Sequence, residues 1–208
     1  MALFITFEGG EGSGKTFQAR ALFNRLSRLA IPALLTHEPG GTSLGRKLTH
    51  LLKWAQDAGM SSLTELLLFN ASRVQLLEEV IQPNLQSGKV VICDRYADST
   101  TAYQSYGRGL DLETVMTVSN VATRGLKPDL TVLLDISVKE GFARKGTKRR
   151  DRFEKEDMAF HQRVREGYLK LAASEPRHWL VVDATQSKEK IKDVILQRVS
   201  RLLSGLGD

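Results

Sequence analysis

Lys15 and Thr16 close the run Gly9-Gly10-Glu11-Gly12-Ser13-Gly14-Lys15-Thr16, which fits the pattern G-x-x-x-x-G-K-[ST]. Glycine loses more backbone freedom on folding than any other residue, so its crowding here needs a reason. The chemistry on offer is phosphate binding. Successive loop N–H groups and the positive end of a following helix attract an anion. The lysine reaches terminal phosphates and the threonine hydroxyl ligates Mg²⁺. The flanking residues supply the required context. Leu3–Phe7 is a short β-prone run, and apolar residues recur at helical spacing after the loop (Ala19, Leu22, Phe23, Leu26, Leu29). Residues 9–16 are therefore expected to hold a nucleotide.

The elements that must position this loop follow from the rest of the chain. β-Prone runs recur at Leu3–Phe7, Ala33–Thr36, Val90–Cys93, Leu130–Leu134 and Trp179–Val182. Helical patterns lie between and after them, at 17–29, 44–54, 62–82, 111–124, 139–145, 154–173 and 188–203. Alternation of this kind predicts an α/β fold, a five-stranded parallel sheet with helices on both faces. In such sheets ligands sit beyond the carboxyl ends of the strands. Each run here ends in polar or special residues: "EGGEGSGKT", "HEPGGT", "DRYADST", "DIS" and "DATQ".

The chain has 208 residues, 41% hydrophobic and 26% charged, which suits a single domain, 1–208, with a mobile lid. No apolar run has the length of a membrane span, and no signal-like segment opens the chain, so a cytoplasmic protein without membrane contact is expected. The single Cys93, in "KVVICD", reads as a buried core residue in a reducing compartment. Thirty basic against twenty-four acidic residues give +6, with the densest cluster, "ARKGTKRRDR", inside the chain. A compact basic loop of this kind suits a polyphosphate ligand rather than a nucleic-acid-binding tail.

Phosphate loops serve several enzyme classes, and the remaining motifs discriminate among them. No N-K-x-D guanine-reading segment is present. A small kinase needs a second phosphate-bearing substrate held by arginines and a lid that excludes water. "FEGGEGSGKT", "HEPGGT", "LLLFNASR", "DRYADSTTAYQ", "DRFE" in a basic stretch and "DATQ", in that order, resemble the thymidylate kinase family over nearly the whole chain. The resemblance implies a P-loop nucleoside monophosphate kinase fold with a short lid (about 141–154). It also implies transfer of the γ-phosphate of Mg-ATP to dTMP, and a homodimer.

By that resemblance, Arg95 contacts the acceptor phosphate and Asp94 lies with Thr16 near the metal. Arginine suits the task because its planar fork donates two parallel hydrogen bonds to phosphate oxygens. Phe69 stacks on thymine, and Arg73, one helical turn on, reaches carbonyl O4, where cytosine would offer an amino donor. Thr100 and Gln104 are also four apart, Gln104 pairing with the base edge and Tyr103 closing the sugar side. Glu11 holds the acceptor's sugar hydroxyl or a metal-bound water, and Glu38 with Pro39 borders the acceptor. Asp183, Thr185 and Gln186 pack beside adenine.

In one style of the family an arginine follows the loop acid; in the other that position is small and the lid supplies the cation. Here it is Gly12, so the lid-borne style is expected. Arg149 is the expected catalytic lid residue beside Lys15, Arg95 and Glu11, with Arg144 and Lys148 as rivals that also contact ATP. The sequence departs from the family pattern at His37 and Thr49, where arginine is usual, and Arg46 is the expected substitute on the acceptor phosphate. Two alternatives remain open: a kinase for another nucleoside monophosphate or a deoxynucleoside, and a nucleotide-regulated nucleic-acid-binding protein.

Overall fold

The computed structural model describes residues 2–54, 59–146 and 150–205. Five parallel strands form the sheet: β1 (Leu3–Glu8), β2 (Ala33–His37), β3 (Val90–Asp94), β4 (Leu130–Asp135) and β5 (Trp179–Asp183). Their spatial order is β2-β3-β1-β4-β5. Each expected strand is present and runs one residue further, so Glu8, His37, Asp94, Asp135 and Asp183 end the strands on the ligand-binding edge. The order reverses at β1, which pairs with β3 on one side and β4 on the other.

Burial on both faces explains the near-continuous apolar runs. Ile5, Phe7, Val90, Ile92, Val132 and Leu134 pack in one core with Ala19, Leu22 and Leu26 of α1 (Lys15–Arg28) and Ile191 and Ile195 of α9 (Lys188–Leu203). Phe4, Val91 and Cys93 face the opposite side against Leu76, Ile81 and Tyr96. Cys93 is fully buried, as its apolar setting implied. Leu133 meets Phe160, Val164 and Tyr168 of α8 (Met158–Ser174) in a third cluster.

Helix ends follow local chemistry. α1 starts two residues earlier than the apolar spacing suggested, because Gly14, left-handed at φ 94°, turns the loop directly into Lys15 and Thr16. Ser187 caps α9 by accepting from Lys190 N, and Asp157 caps α8 by accepting from Phe160 N at 2.6 Å. The expected 62–82 helix is divided into α3 (Ser62–Leu76), a π-turn at Leu77–Ile81 and α4 (Gln82–Gln86). Pro83 lacks the N–H that an unbroken α-helix would require there.

One helical stretch had no counterpart in the sequence pattern: α5 (Ala97–Thr100) running into a π-turn at Thr101–Gly107. It packs against α8 through small residues. A Cβ on Gly107 would meet Phe160 at 2.7 Å, and one on Gly167 would meet Tyr106 at 2.6 Å. The remaining helices are α2 (Ser43–Trp54), α6 (Leu112–Thr123), capped by Asp111, and α7 (Val138–Lys145). No helix among the described residues is long and apolar enough to cross a membrane.

Candidate active site

The phosphate loop lies between the ends of β1 and β4. Gly9 has φ 135°, and a Cβ there would sit 2.5 Å from Leu134 O, so a side chain is excluded by both conformation and space. Lys15 folds over the loop and donates to Gly9 O at 2.9 Å and Gly10 O at 2.7 Å, with Ser13 Oγ at 3.3 Å. Burial and the neighbouring Arg95 lower its pKa to about 8. Thr16 Oγ1 donates to Asp94 Oδ2. These two hard oxygens at the cleft suit a Mg²⁺ ion, which takes few protein ligands and keeps its other positions for water and phosphate. Among the described residues, no group of three or more His, Cys, Asp or Glu side chains is arranged to hold a metal by itself.

Arg95 follows β3 in the left-handed region, at φ 72°, with its N–H donating to Phe7 O at 3.0 Å. A non-glycine residue is uncommon there, and the surrounding contacts hold this one in place. Its guanidinium donates to Glu11 Oε1 (3.1 Å), Gly9 O (3.2 Å), Ser99 Oγ (3.1 Å) and Tyr168 Oη (3.1 Å). Tyr103 Oη and Lys145 Nζ donate to the two oxygens of Glu11, at 3.0 and 2.9 Å. Burial alone would favour the protonated Glu11. The charges of Arg95, Lys15 and Lys145 overcome it and hold the carboxyl well below the usual range.

Beneath this pair lies Glu8, fully buried at the end of β1. It accepts from Tyr96 N (2.7 Å), Ser99 Oγ (2.5 Å) and Tyr168 Oη (3.0 Å), the last two being the groups that hold Arg95. Burial, with Asp98 nearby, raises its pKa to about 7 against the pull of Arg95. Sequence reasoning missed Glu8, although its place at the strand end beside the loop was a usable signal.

At the far end of the cleft stand Glu38 and Pro39 after β2, Phe69 on α3, and Thr100, Tyr103 and Gln104 on the α5 stretch. Arg73 braces them from behind. It is wholly buried, donates from Nε to Glu38 Oε2 at 3.0 Å, and pairs a second time through Nη2. It also donates to Asn70 Oδ1 (2.8 Å) and Thr100 Oγ1 (2.6 Å). Burial raises the Glu38 carboxyl although the Arg73 guanidinium draws it back down. Arg73 does not line the cleft, whereas Glu38 and Thr100, which it orients, do. Gln104 Nε2 donates to Glu65 Oε1 at 2.7 Å. Glu65 was also missed, though it sits one turn before Phe69 and two before Arg73.

α7 approaches the phosphate loop through paired glycines. A Cβ on Gly12 would lie 1.9 Å from Gly141 O, and one on Gly141 would lie 2.2 Å from Glu11 O. Gly12 also has φ 69°, so a larger residue is excluded there on two counts. Beyond the contact, Arg144 Nη1 donates to Ala184 O at 2.8 Å, and Lys145 bridges Glu11 and Glu154. Lys145 and Glu154, inside the basic run and "DRFE", were not singled out from the sequence. Lys148 and Arg149 lie outside the described residues.

One cleft of about 1120 Å³ joins these parts and is lined by Lys15 and Thr16, Asp94 and Arg95, Phe69 and Gln104, and Arg144 and Lys145. Some expected residues stand apart from its walls. Arg46 is exposed on α2 and does not line it; the α2 cation that does is Lys53, one turn beyond Thr49. The two are seven residues apart and share a helix face, so what separates them is position along the axis, about 10 Å, which leaves Arg46 two turns short of the part of α2 that borders the cleft. Asp183, Thr185 and Gln186 are likewise outside the lining. Asp183 Oδ1 accepts from Thr185 N at 2.8 Å and closes a local turn.

Comparisons with known proteins agree with this geometry. A family profile described as thymidylate kinase matches residues 7–195. The chain is similar to a thymidylate kinase of Dehalococcoides mccartyi, with 55% identity over 203 residues covering 98% of both chains. It is also similar to one of Roseiflexus castenholzii, with 44% identity covering 99% of this chain and 96% of the relative. Among solved structures, the thymidylate kinase of Ehrlichia chaffeensis superposes with a TM-score of 0.76 at 34% identity, covering 97% of this chain and 98% of that one. The P-loop nucleoside monophosphate kinase fold thus comes with sequence similarity along almost the whole chain, and the chain belongs to the thymidylate kinase family.

Proposed function

We propose that this protein transfers the γ-phosphate of ATP to dTMP, forming dTDP and ADP for dTTP synthesis in the cytoplasm. The observation that carries the reading is the continuity of one cleft from Lys15 and Thr16, past Arg95, to Phe69 and Gln104. Two nucleotides laid end to end in it would bring their phosphates together beside Arg95. ATP phosphates would lie on the N–H groups of residues 9–16, with Lys15 turning from its carbonyl partners to the terminal oxygens. Arg144 would flank the adenine side, near the backbone of 183–186. Mg²⁺ on Thr16 and Asp94 would neutralise charge on the β- and γ-oxygens.

At the acceptor end Phe69 stacks on the base and Gln104 meets its edge, while Arg73, buried behind the wall, orients Glu38 and Thr100 toward the ligand. Arg95 binds the acceptor phosphate, and Glu11 aims Arg95 while receiving the sugar hydroxyl. Phosphoryl transfer of this kind depends on positioning and charge stabilisation rather than a strong base. The 141–154 stretch serves as the lid of the one domain, and its cations, Arg149 foremost with Arg144, Lys148 and Lys145, offset charge on the transferring group.

Two features bear on partners. Arg144 and Lys145 turn into the cleft toward Ala184 O, Glu11 and Glu154, which disfavours a nucleic-acid-binding role for the basic run. Leu63 and Leu67 on α3, with Met116 and Val121 on the adjacent α6, are about half-exposed or more, which suits a homodimer formed through these helices. The test of function is ADP release from ATP with dTMP, dUMP, dCMP, dGMP and AMP, each tested alone. Turnover highest with dTMP is expected. Turnover highest with dGMP or AMP, or none with any acceptor, overturns the reading.

A further inference from the structure

Glu65 is 1% exposed and makes no contact that the phosphate chemistry requires. Its carboxylate collects four hydrogen bonds or ion-pair contacts. Oε1 accepts from Gln104 Nε2 (2.7 Å) and Arg108 Nε (3.2 Å), and Oε2 from Arg108 Nη2 (3.3 Å) and Arg152 Nη2 (2.5 Å). Arg152 is anchored in turn, its Nε donating to Leu52 O at 3.0 Å and its N to Lys53 O at 3.1 Å. Arg108 also pairs with Glu156 Oε1 at 2.5 Å. The carboxylate is therefore fixed from two sides.

A carboxylate between two guanidiniums can only accept hydrogen bonds, whereas a primary amide has one accepting and one donating end. Gln104 must then turn its NH₂ to Glu65. Its Oε1 receives no hydrogen bond from a described residue and is not among the buried polar atoms left without a partner. As Gln104 lines the cleft beside Phe69 and Thr100, that oxygen is the group it offers to a ligand.

We propose that Glu65 is a specificity-determining positioning residue: by locking the Gln104 amide it makes the pocket present an acceptor, and so demands a ring N–H on the acceptor base. The proposal rests on the base-edge role assigned to Gln104 above. Thymine and uracil carry a hydrogen at N3; cytosine carries a lone pair there, which would oppose the amide oxygen and leave both unpaired. A site built to hydrogen-bond a group rejects the analogue lacking it far more strongly than a merely apolar site does.

The test measures kcat/KM for dTMP, dCMP and dUMP in Glu65→Gln, Gln104→Ala and the double variant. Glu65→Gln offers Gln104 either end of an amide, so the dTMP/dCMP ratio should fall about tenfold or more while the dTMP/dUMP ratio holds. A purely structural role would lower all three together. In the Gln104→Ala background, Glu65→Gln should change the dTMP/dCMP ratio no further. If Glu65→Gln fails to fold, Glu65→Gln combined with Arg152→Met, which removes the cation left without its anion, replaces it with the same expected loss. A ratio that collapses in Gln104→Ala but stays within about twofold in the Glu65 variant overturns the proposal alone. A ratio unchanged in Gln104→Ala overturns the base-edge assignment on which it stands.

Discussion

Replacing Gly141 by alanine perturbs the place where α7 touches the phosphate loop. The new Cβ would lie 2.2 Å from Glu11 O, against 3.4 Å where ordinary contact begins, a shortfall of about 1.2 Å. Both sides of the clash are backbone, so no side chain can swing aside. The loop is held by β1 and β4, so α7 is expected to retreat by roughly 1 Å, taking Arg144 and Lys145 with it. A displacement of that size at a reacting centre can cost about 10²-fold, or about 2.7 kcal/mol of barrier. The fold itself should suffer less. Overpacking costs about 1–3 kcal/mol, and alanine recovers up to about 1 kcal/mol over glycine within a helix. Steady-state ADP release with ATP and dTMP varied in turn, alongside thermal melting, separates the two effects. We expect kcat to fall about 30- to 100-fold with a smaller change in KM for dTMP, whose base end is remote from α7. A folded Gly141→Ala protein with kcat within about threefold of wild type would refute the argument that this contact sets the position of the lid cations.

The other expectations concern buried charge. Lys15 has its pKa lowered to about 8, so kcat/KM for ATP should fall as pH rises through that value; a profile flat to about pH 9.5 contradicts the assignment. Glu8, raised from 4.5 to about 7, favours the folded state most below pH 4.5 and progressively less as pH rises to about 7. Glu8→Gln should therefore gain stability relative to wild type between those values, by at most about 3 kcal/mol, and equal urea midpoint differences at pH 5 and 8 would count against it. Arg73→Ala strands the buried Glu38 carboxylate and should cost about 3–5 kcal/mol, partly restored by adding Glu38→Gln; a loss of a few tenths, as for a surface arginine, would show the pair to be unimportant.

The strands, the phosphate loop and the class of chemistry can be read from residue order alone. Each β-run is apolar because both sheet faces are covered, and the loop's glycines are required by conformation and close approach, so these signals are local and strong. The stretch from Ala97 to Gly107 gave no such signal. Its Ser, Thr and Tyr residues lack helical apolar spacing, and it is helical because Gly107 and Gly167 let α8 come close enough to bury it. Candidate residues were legible where a motif marked them, as with Lys15, Arg95 and Gln104. Their supports were not legible. Glu8, Glu65 and Lys145 reach Arg95, Gln104 and Glu11 across sequence separations of 87, 39 and 134 residues. A carboxylate's role there depends on which donors surround it, and those donors come from different helices. Arg46 and Arg73 make the same point from the other side. Their types suited phosphate and base, but Arg46 stands exposed two turns short of the cleft-lining Lys53, and burial paired Arg73 with Glu38. Tertiary packing decides such outcomes, because it fixes which charges lose their water and which partners replace it.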